Sequence, residues 1–373
     1  MGPLSTRTLG DLGADVIVVE PASGDRNRSM GPGPHPEFSG IALNLLRNKR
    51  SVALDLKDHR GVRAFLDIAR SCDVMITNLR PRPLGDLGLG YEAVRSVRSD
   101  IVYCRAHGFR SSSERANEPA YDDIIQSASA MGDIFKLAGH EPMLVPTLIA
   151  DKVCGLTVAN SVMAALLHRA STGEGQCIEI AMIDVMRAFV LAEHGAGAIT
   201  EPPTGGPGYQ RILTTERKPQ PTTDGFINVL PYDAEHYITL FTAGGRHDLL
   251  DDERFSTRRN RAANADSLYR DLAGVLATRT TAGWLEFCRE HGIPVTEAGT
   301  VQQLVDELPL AEHPVVGTYR VIPPPEQFSE TPPTIRRPAP RIGEHGREVL
   351  TEAGYDDDAL DELVSSGVLS TPE

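Results

Sequence analysis

Asp15-Val16-Ile17-Val18-Val19-Glu20 is a short run of β-branched residues with an acid at each end. Such a run reads as a strand buried on both faces of a parallel sheet. Working outward, Ser51-Val52-Ala53-Leu54-Asp55-Leu56 alternates apolar and polar residues and predicts a second strand. Gly61 to Cys72 places Val62, Phe65, Leu66 and Ala69 at spacings of three and four, which predicts an amphipathic helix. Asp73-Val74-Met75-Ile76-Thr77-Asn78 and Ile101-Val102-Tyr103-Cys104 read as further buried strands. This rhythm predicts an α/β fold with a parallel, Rossmann-like sheet and helices on its faces. Val153 to His168 is apolar nearly all round and predicts a buried helix. Gly175 to Ile183 reads as a strand, with Cys177, Glu179 and Ala181 on one face and Ile178, Ile180 and Met182 on the other.

Two Pro-rich stretches divide the chain. One spans 201–223 and holds Pro202, Pro203, Pro207, Pro219 and Pro221; the other spans 321–340 and includes Pro323-Pro324-Pro325. Between them, 224–232 reads as a strand and 234–308 as helical. The expected organisation is a large domain from 1–200, a linker at 201–223 and a small domain at 224–320. A Pro-rich linker at 321–340 follows, and 341–373 returns to the large domain.

The chain has 373 residues and a formal net charge of −14. That excess of acid argues against a nucleic-acid partner, which calls for a basic domain or stripe. The acid is unevenly placed. Residues 351–373 carry seven acids and no Lys or Arg, whereas the first 115 residues hold 17 Arg/Lys against 13 Asp/Glu. The N-terminal third can therefore meet an anionic ligand. The five cysteines are far apart and form no Cys-x-x-Cys, so neither a disulfide framework nor a metal site is expected. The uncharged run Val153–Leu167 spans 15 residues, short of the ~18 that suggest a membrane span. A cytoplasmic enzyme is the expectation, without a membrane partner.

No Walker loop, no G-x-G-x-x-G after a strand, no H-E-x-x-H and no G-x-S-x-G is present. Asp151 stands at the start of the apolar helix. It reads either as a first-turn carboxylate that stabilises free N–H groups or as a nucleophile facing a cleft. Asn78-Leu79-Arg80-Pro81-Arg82 follows a strand, where open α/β sheets bind ligands. Its arginines suit phosphate, and Leu54-Asp55-Leu56-Lys57 would lie beside it. Glu193-His194 is a weaker acid–base candidate, because neighbours on a helix point apart. His107, His140, His345 and Tyr121 read as structural.

Several motifs taken together resemble the class III CoA-transferase family, which includes formyl-CoA:oxalate and carnitine CoA-transferases and the α-methylacyl-CoA racemases. They are Gly10-Asp11-Leu12-Gly13-Ala14-Asp15 through Glu20 with Gly24-Asp25, Asn48-Lys49-Arg50-Ser51 through Lys57, and Asn78-Leu79-Arg80-Pro81 with Leu87-Gly88-Leu89-Gly90-Tyr91-Glu92. Tyr121-Asp122 through Gln126, Asp151, Thr172-Gly173-Glu174-Gly175-Gln176 and Ala339-Pro340-Arg341-Ile342-Gly343-Glu344-His345 follow in order. The resemblance implies a Rossmann-like large domain built from both chain ends, a smaller α/β domain from the middle, and an interlocked homodimer.

It also implies chemistry. Asp151 would attack an acyl-CoA thioester to form an aspartyl anhydride. CoA thiolate would then return to give an aspartyl-CoA thioester, from which a carboxylic acid acceptor takes CoA. Acyl-CoA and coenzyme A are substrates in this scheme, with no tightly bound cofactor and no metal. The CoA contacts implied are Leu54, Asp55, Lys57, Asn78, Leu79, Arg80, Ala120, Tyr121 and Asp122. Arg82 would join these CoA contacts and compensate for Asp86, which stands where relatives have a basic residue. The alternatives are an acyl-CoA racemase or isomerase on the same scaffold and a catalytically deficient CoA-binding homologue. The racemases use a His thirty residues before the Asp; here that position is Tyr121, a poor base at neutral pH. Gly205-Gly206-Pro207-Gly208 is the nearest match to the glycine-rich lid of some relatives. Relatives also open with a strand and turn before a Gly-Pro that resembles Gly2-Pro3. Without that strand, lower stability and weaker CoA binding are expected.

Overall fold

The computed structural model describes residues 1–372. Two compact units make up the chain. Unit 1 comprises Met1–Ile125, Thr147–Met186 and Glu307–Glu373, and unit 2 comprises Gln126–Pro146 and Arg187–Asp306. These boundaries fall at sites other than the Pro-rich stretches, and a segment before Asp151 belongs to unit 2.

The chain begins with α1 (Gly2–Asp11), β1 (Val16–Glu20), α2 (Gly40–Leu45), β2 (Lys49–Leu54), α3 (His59–Ala69) and β3 (Val74–Thr77). It continues through α4 (Pro81–Asp86), α5 (Tyr91–Val97), β4 (Val102–His107), α6 (Asp122–Ala128) and α7 (Met131–Leu137). Next come α8 (Ile149–Thr172), β5 (Cys177–Ala181) and α9 (Met182–His194). Unit 2 goes on with β6 (Gln220–Pro221), β7 (Phe226–Val229), α10 (Ala234–Ala243), α11 (Arg258–Ala263), α12 (Ala265–Leu276), α13 (Thr281–Glu290), β8 (Val295–Glu297) and α14 (Val301–Asp306). The return to unit 1 carries β9 (Leu310–His313), β10 (Gly317–Arg320), α15 (Gly346–Glu352), α16 (Asp357–Ser365) and β11 (Leu369–Ser370).

The fold is mixed α/β, and the strand pairings between β1 and β5 are parallel, as the alternation of elements predicts. β1 pairs with β2 from Val16 opposite Lys49 to Glu20 opposite Ala53. β4 pairs with β3 and β5 on its two sides. One expectation needs correction: the parallel strands form two three-stranded sheets, β1-β2-β11 and β3-β4-β5, in place of one. β11 closes the far edge of β2 in antiparallel register, Leu369 opposite Leu54. Among the described residues β1 and β3 each pair on one side only, and both line a cleft of about 810 Å³. Their unpaired edges leave backbone N–H and C=O groups without ladder partners.

Two buried carboxylates tie unit 1 together. Asp11, at the end of α1, accepts from Arg47 Nη2 at 2.7 Å and from Asn48 Nδ2 at 2.8 Å. Asn48 adopts a left-handed conformation (φ 57°) and accepts the Arg336 N–H at 2.7 Å, which ties in the C-terminal return. Glu20, at the end of β1, accepts from Arg28 Nη2 at 2.6 Å, from the Ser51 hydroxyl at 2.5 Å and from the Asp25 N–H at 2.6 Å. Gly61 permits a close approach: a Cβ there would fall 2.1 Å from the Asp55 carbonyl oxygen.

The long apolar helix also differs from expectation. α8 has 24 residues, long and apolar enough to cross a membrane by length and composition alone. It packs on β4 and β5 through Val158 and Val162, which meet Cys104, Ala106, Ile178 and Ile180. Yet it is not buried all round, for Leu156, Met163 and Leu167 are exposed. The strand after it is shorter than predicted, because Met182 already begins α9.

Unit 2 has its own core. Trp284, Phe241, Leu240 and Leu272 are fully buried, and the Trp284 indole N–H donates to the Leu276 carbonyl at 2.7 Å. The strand expected at 224–232 is β7, flanked by β6 and β8.

Candidate active site

Asp151 sits in the first turn of α8. The N-cap is Leu148, and no side chain caps the helix. The Asp151 carboxylate therefore does not perform the capping role that its position suggests. Its side chain is 35% exposed, and Oδ1 lies 3.0 Å from the Met1 ammonium. Oδ2 has no hydrogen-bond or ion-pair partner among the described residues. The Asp151 backbone N–H donates to Asp122 Oδ1 at 2.9 Å. Buried Asp122 opens α6, so one carboxylate orients the start of the helix that carries the other. Ile149 N–H donates to the Thr147 carbonyl at 2.7 Å and Lys152 N–H to the Leu148 carbonyl at 3.2 Å. Three N–H groups of this turn are thus engaged, which limits the backbone donors available to an oxyanion here.

Tyr121 precedes Asp122 and is 62% exposed. Its hydroxyl accepts from Arg26 Nη1 at 2.5 Å. Arg26 belongs to the 3-10 turn Arg26–Ser29, whose N-cap Asp25 accepts the Asn27 N–H.

The other candidates form a second group. Leu54, Asp55, Lys57, Asn78 and Leu79 all line the 810 Å³ cleft. Asp55, Lys57, Asn78 and Leu79 stand just beyond the carboxyl ends of β2 and β3, where the sheet rule places ligands. Gly2 and Pro3 line the same cleft, and Met1 beside them touches Asp151. The two groups thereby adjoin through the first residues of the chain. Arg80 and Arg82 lie outside that lining. Arg80 Nη1 donates to the Asn117 carbonyl at 2.6 Å, and the Arg82 N–H donates to Asn117 Oδ1 at 2.9 Å. Asp86 lines a neighbouring cleft of about 620 Å³ with Lys57, His59 and Leu79, so two basic groups share that wall with the acid. Ala120 packs against backbone: a Cβ on Gly108 would fall 2.2 Å from its own Cβ.

Glu193 and His194 approach to 3.6 Å, but buried His194 accepts the Tyr209 N–H through Nδ1 at 3.3 Å. That bond is structural. His107 faces Glu179 at 3.1 Å. Burial works against ionisation of Glu179, yet its bonds from Ser111 and the neighbouring His107 hold it below the usual carboxylate range. His345 accepts the Ser51 N–H, and burial lowers its pKa.

Sequence reasoning passed over two groups. Arg26 is a single basic residue in a loop. Lys49 lies within a motif but was given no role; it is 2% exposed, lines the cleft, and donates to the Pro3 carbonyl at 3.0 Å. Burial pushes its ammonium down to about 7. An unfolded lysine titrates near 10.4. Between these values the unfolded chain binds the extra proton, so this residue's contribution to stability grows as pH rises above 7. In urea denaturation, Lys49→Met should therefore lose stability relative to the wild type between pH 6.5 and pH 9. A constant difference across that window would contradict the shift.

Comparisons with known proteins give the chain a family. The pattern described as CoA-transferase family III matches residues 1–346. The chain is 31% identical to succinyl-CoA:glutarate CoA-transferase of Mus musculus, over all of this chain and 88% of that one. It is 30% identical to the probable fatty acyl-CoA transferase Rv3272 of Mycobacterium tuberculosis, over 94% of this chain and 93% of that one. Among solved structures, a CAIB/BAIF family protein from Brucella suis matches with a TM-score of 0.78 at 26% identity, covering 94% and 95% of the two chains. Fold, residues and relatives agree: the chain belongs to CoA-transferase family III.

Proposed function

We propose that the protein moves CoA from an acyl-CoA thioester to a carboxylic acid, with Asp151 as covalent nucleophile. One observation carries this reading: a part-exposed carboxylate stands in the first turn of α8 without a capping role and with one oxygen free. Asp151 Oδ2 attacks the thioester carbonyl. The C–S bond breaks, CoA leaves as thiolate, and a mixed aspartyl anhydride remains. The thiolate then attacks the aspartyl carbonyl, which frees the first acid and leaves an aspartyl-CoA thioester. The acceptor carboxylate attacks that thioester to form a second anhydride, and the thiolate closes the cycle on the acceptor's carbonyl. Overall one thioester and one acid are exchanged for another thioester and acid, so the full cycle is nearly balanced, and the site must position the groups and carry the reaction through the anhydrides.

The chain's residues have distinct tasks in this scheme. Asp122 fixes the backbone beneath the Asp151 carboxylate. The cleft lined by Leu54, Asp55, Lys57, Asn78 and Leu79 takes the CoA, with Arg80 and Arg82, which follow Leu79 in the chain, as phosphate partners. The apolar face of α8 at Leu156, Met163 and Leu167 supports a homodimer, because a second chain would cover it. Racemisation finds less support. Tyr121 holds Arg26, and a phenol is a weak base for an α-proton.

Asp151→Ala should reduce transfer by at least about a thousandfold with little change in folding. Unchanged turnover would refute the covalent scheme. In D2O without an acceptor acid, an acyl-CoA should keep its α-hydrogens. Deuterium uptake there would favour the racemase reading.

A further inference from the structure

Arg80 and Arg82 owe their placement to a segment further along the chain. Arg80 is the N-cap of α4 but makes no side-chain cap, and Pro81 in the first position has no N–H to offer. The next N–H is that of Arg82, and Asn117 Oδ1 accepts it at 2.9 Å. The Asn117 carbonyl also accepts from Arg80 Nη1 at 2.6 Å. One asparagine therefore holds the backbone of one arginine and the guanidinium of the other. α4 has six residues, among them Pro81, Pro83 and Gly85, so its own propensity holds it weakly.

Asn117 is carried by a compact loop with close ends, residues 109–119. At its base, a Cβ on Gly108 would fall 2.2 Å from that of Ala120, and the Gly108 carbonyl accepts the Ile183 N–H at 3.1 Å. Within it, the Ser111 N–H donates to Glu179 Oε1 at 2.7 Å. The Arg115 guanidinium lies 3.7 Å from the centre of the Phe109 ring, and Ala116 is buried. Glu118, the acid beside Asn117, is paired with Arg115 at 2.8 Å. Neither Arg80 nor Arg82 forms an ion pair among the described residues. A carbonyl partner leaves Arg80 its charge and its remaining N–H groups. Leu79 and Pro83, which flank the two arginines in the chain, both line the 620 Å³ cleft with Lys57.

We propose that Asn117 is a positioning residue for CoA: it sets the start of α4 so that Arg80 and Arg82 together meet the carrier's phosphates. The inference rests on the reading of these arginines as phosphate partners and adds the group that places them. Guanidinium binds phosphate best through two parallel N–H bonds, which demand a fixed orientation. A loosened start of α4 therefore loses affinity without losing charge. Parts of the carrier that bear no phosphate make no use of Asn117.

Calorimetric titration of the full chain with CoA, and with pantetheine, which lacks the nucleotide and every phosphate, tests this. Asn117→Ala removes the side-chain bond and keeps the carbonyl, and the exposed position spares the core. It should weaken CoA binding by about tenfold and leave the Kd for pantetheine unchanged. In an Arg80→Ala/Arg82→Ala background the same substitution should cost nothing further, because its effect runs through those groups. Equal CoA affinity in the wild type and Asn117→Ala would overturn the inference and leave the transfer reading standing. So would equal losses for CoA and pantetheine, or a loss that persists without the arginines, since both mark a general structural role. CoA binding unchanged by loss of both arginines would contradict the phosphate assignment, and this inference with it.

Discussion

The buried Glu20 carboxylate is the interaction on which unit 1 depends. It ends β1 and gathers Arg28, the Ser51 hydroxyl and the Asp25 N–H around itself. Arg28 and Asp25 belong to the 3-10 turn after β1, and Ser51 to β2. Ser51 lies on β2 and in turn accepts the Gly343 N–H from the C-terminal return. Arg28 reaches the Pro340 carbonyl on the same return. A buried charge is tolerated only with full hydrogen bonding, so this cluster fixes several segments together. The 3-10 turn that presents Arg26 inherits its position from the same carboxylate.

Much of this was legible in the sequence. The β-branched run Val16–Val19 and the segment Val74–Thr77 announced parallel strands, because only burial on both faces selects such runs. Asp151 stood out as a carboxylate opening an apolar helix, and the resemblance supplied its expected role. Other features were not legible. Residue types do not show which strand edges meet, so the division into two sheets between β1 and β3 came only with the structure. The exposed face of α8 was hidden for a related reason: an apolar helix reads as buried whether or not a partner covers it. Arg26 and Arg28 look alike in the chain, and only tertiary contacts make one structural and the other free.

The site joins two kinds of surface. The cleft beyond β2 and β3 is partly apolar and carries Lys57, Asn78 and Leu79 in its lining. The start of α8 is polar and charged, with Asp151 and Asp122 in succession. A thioester of a large anionic carrier needs both: a wide surface for the carrier and a small polar centre for the acyl exchange. The net acid of the chain does not conflict with this, because seven of its acids lie beyond residue 350 while the N-terminal third is net basic.

The central claim is that Asp151 becomes covalently acylated. Peptide mass spectrometry of the protein treated with succinyl-CoA and quenched with hydroxylamine tests it most directly. The account predicts a hydroxamate on the Asp151 side chain, absent without the thioester. Unmodified Asp151 under conditions that support transfer, or a hydroxamate on another carboxylate, would contradict it.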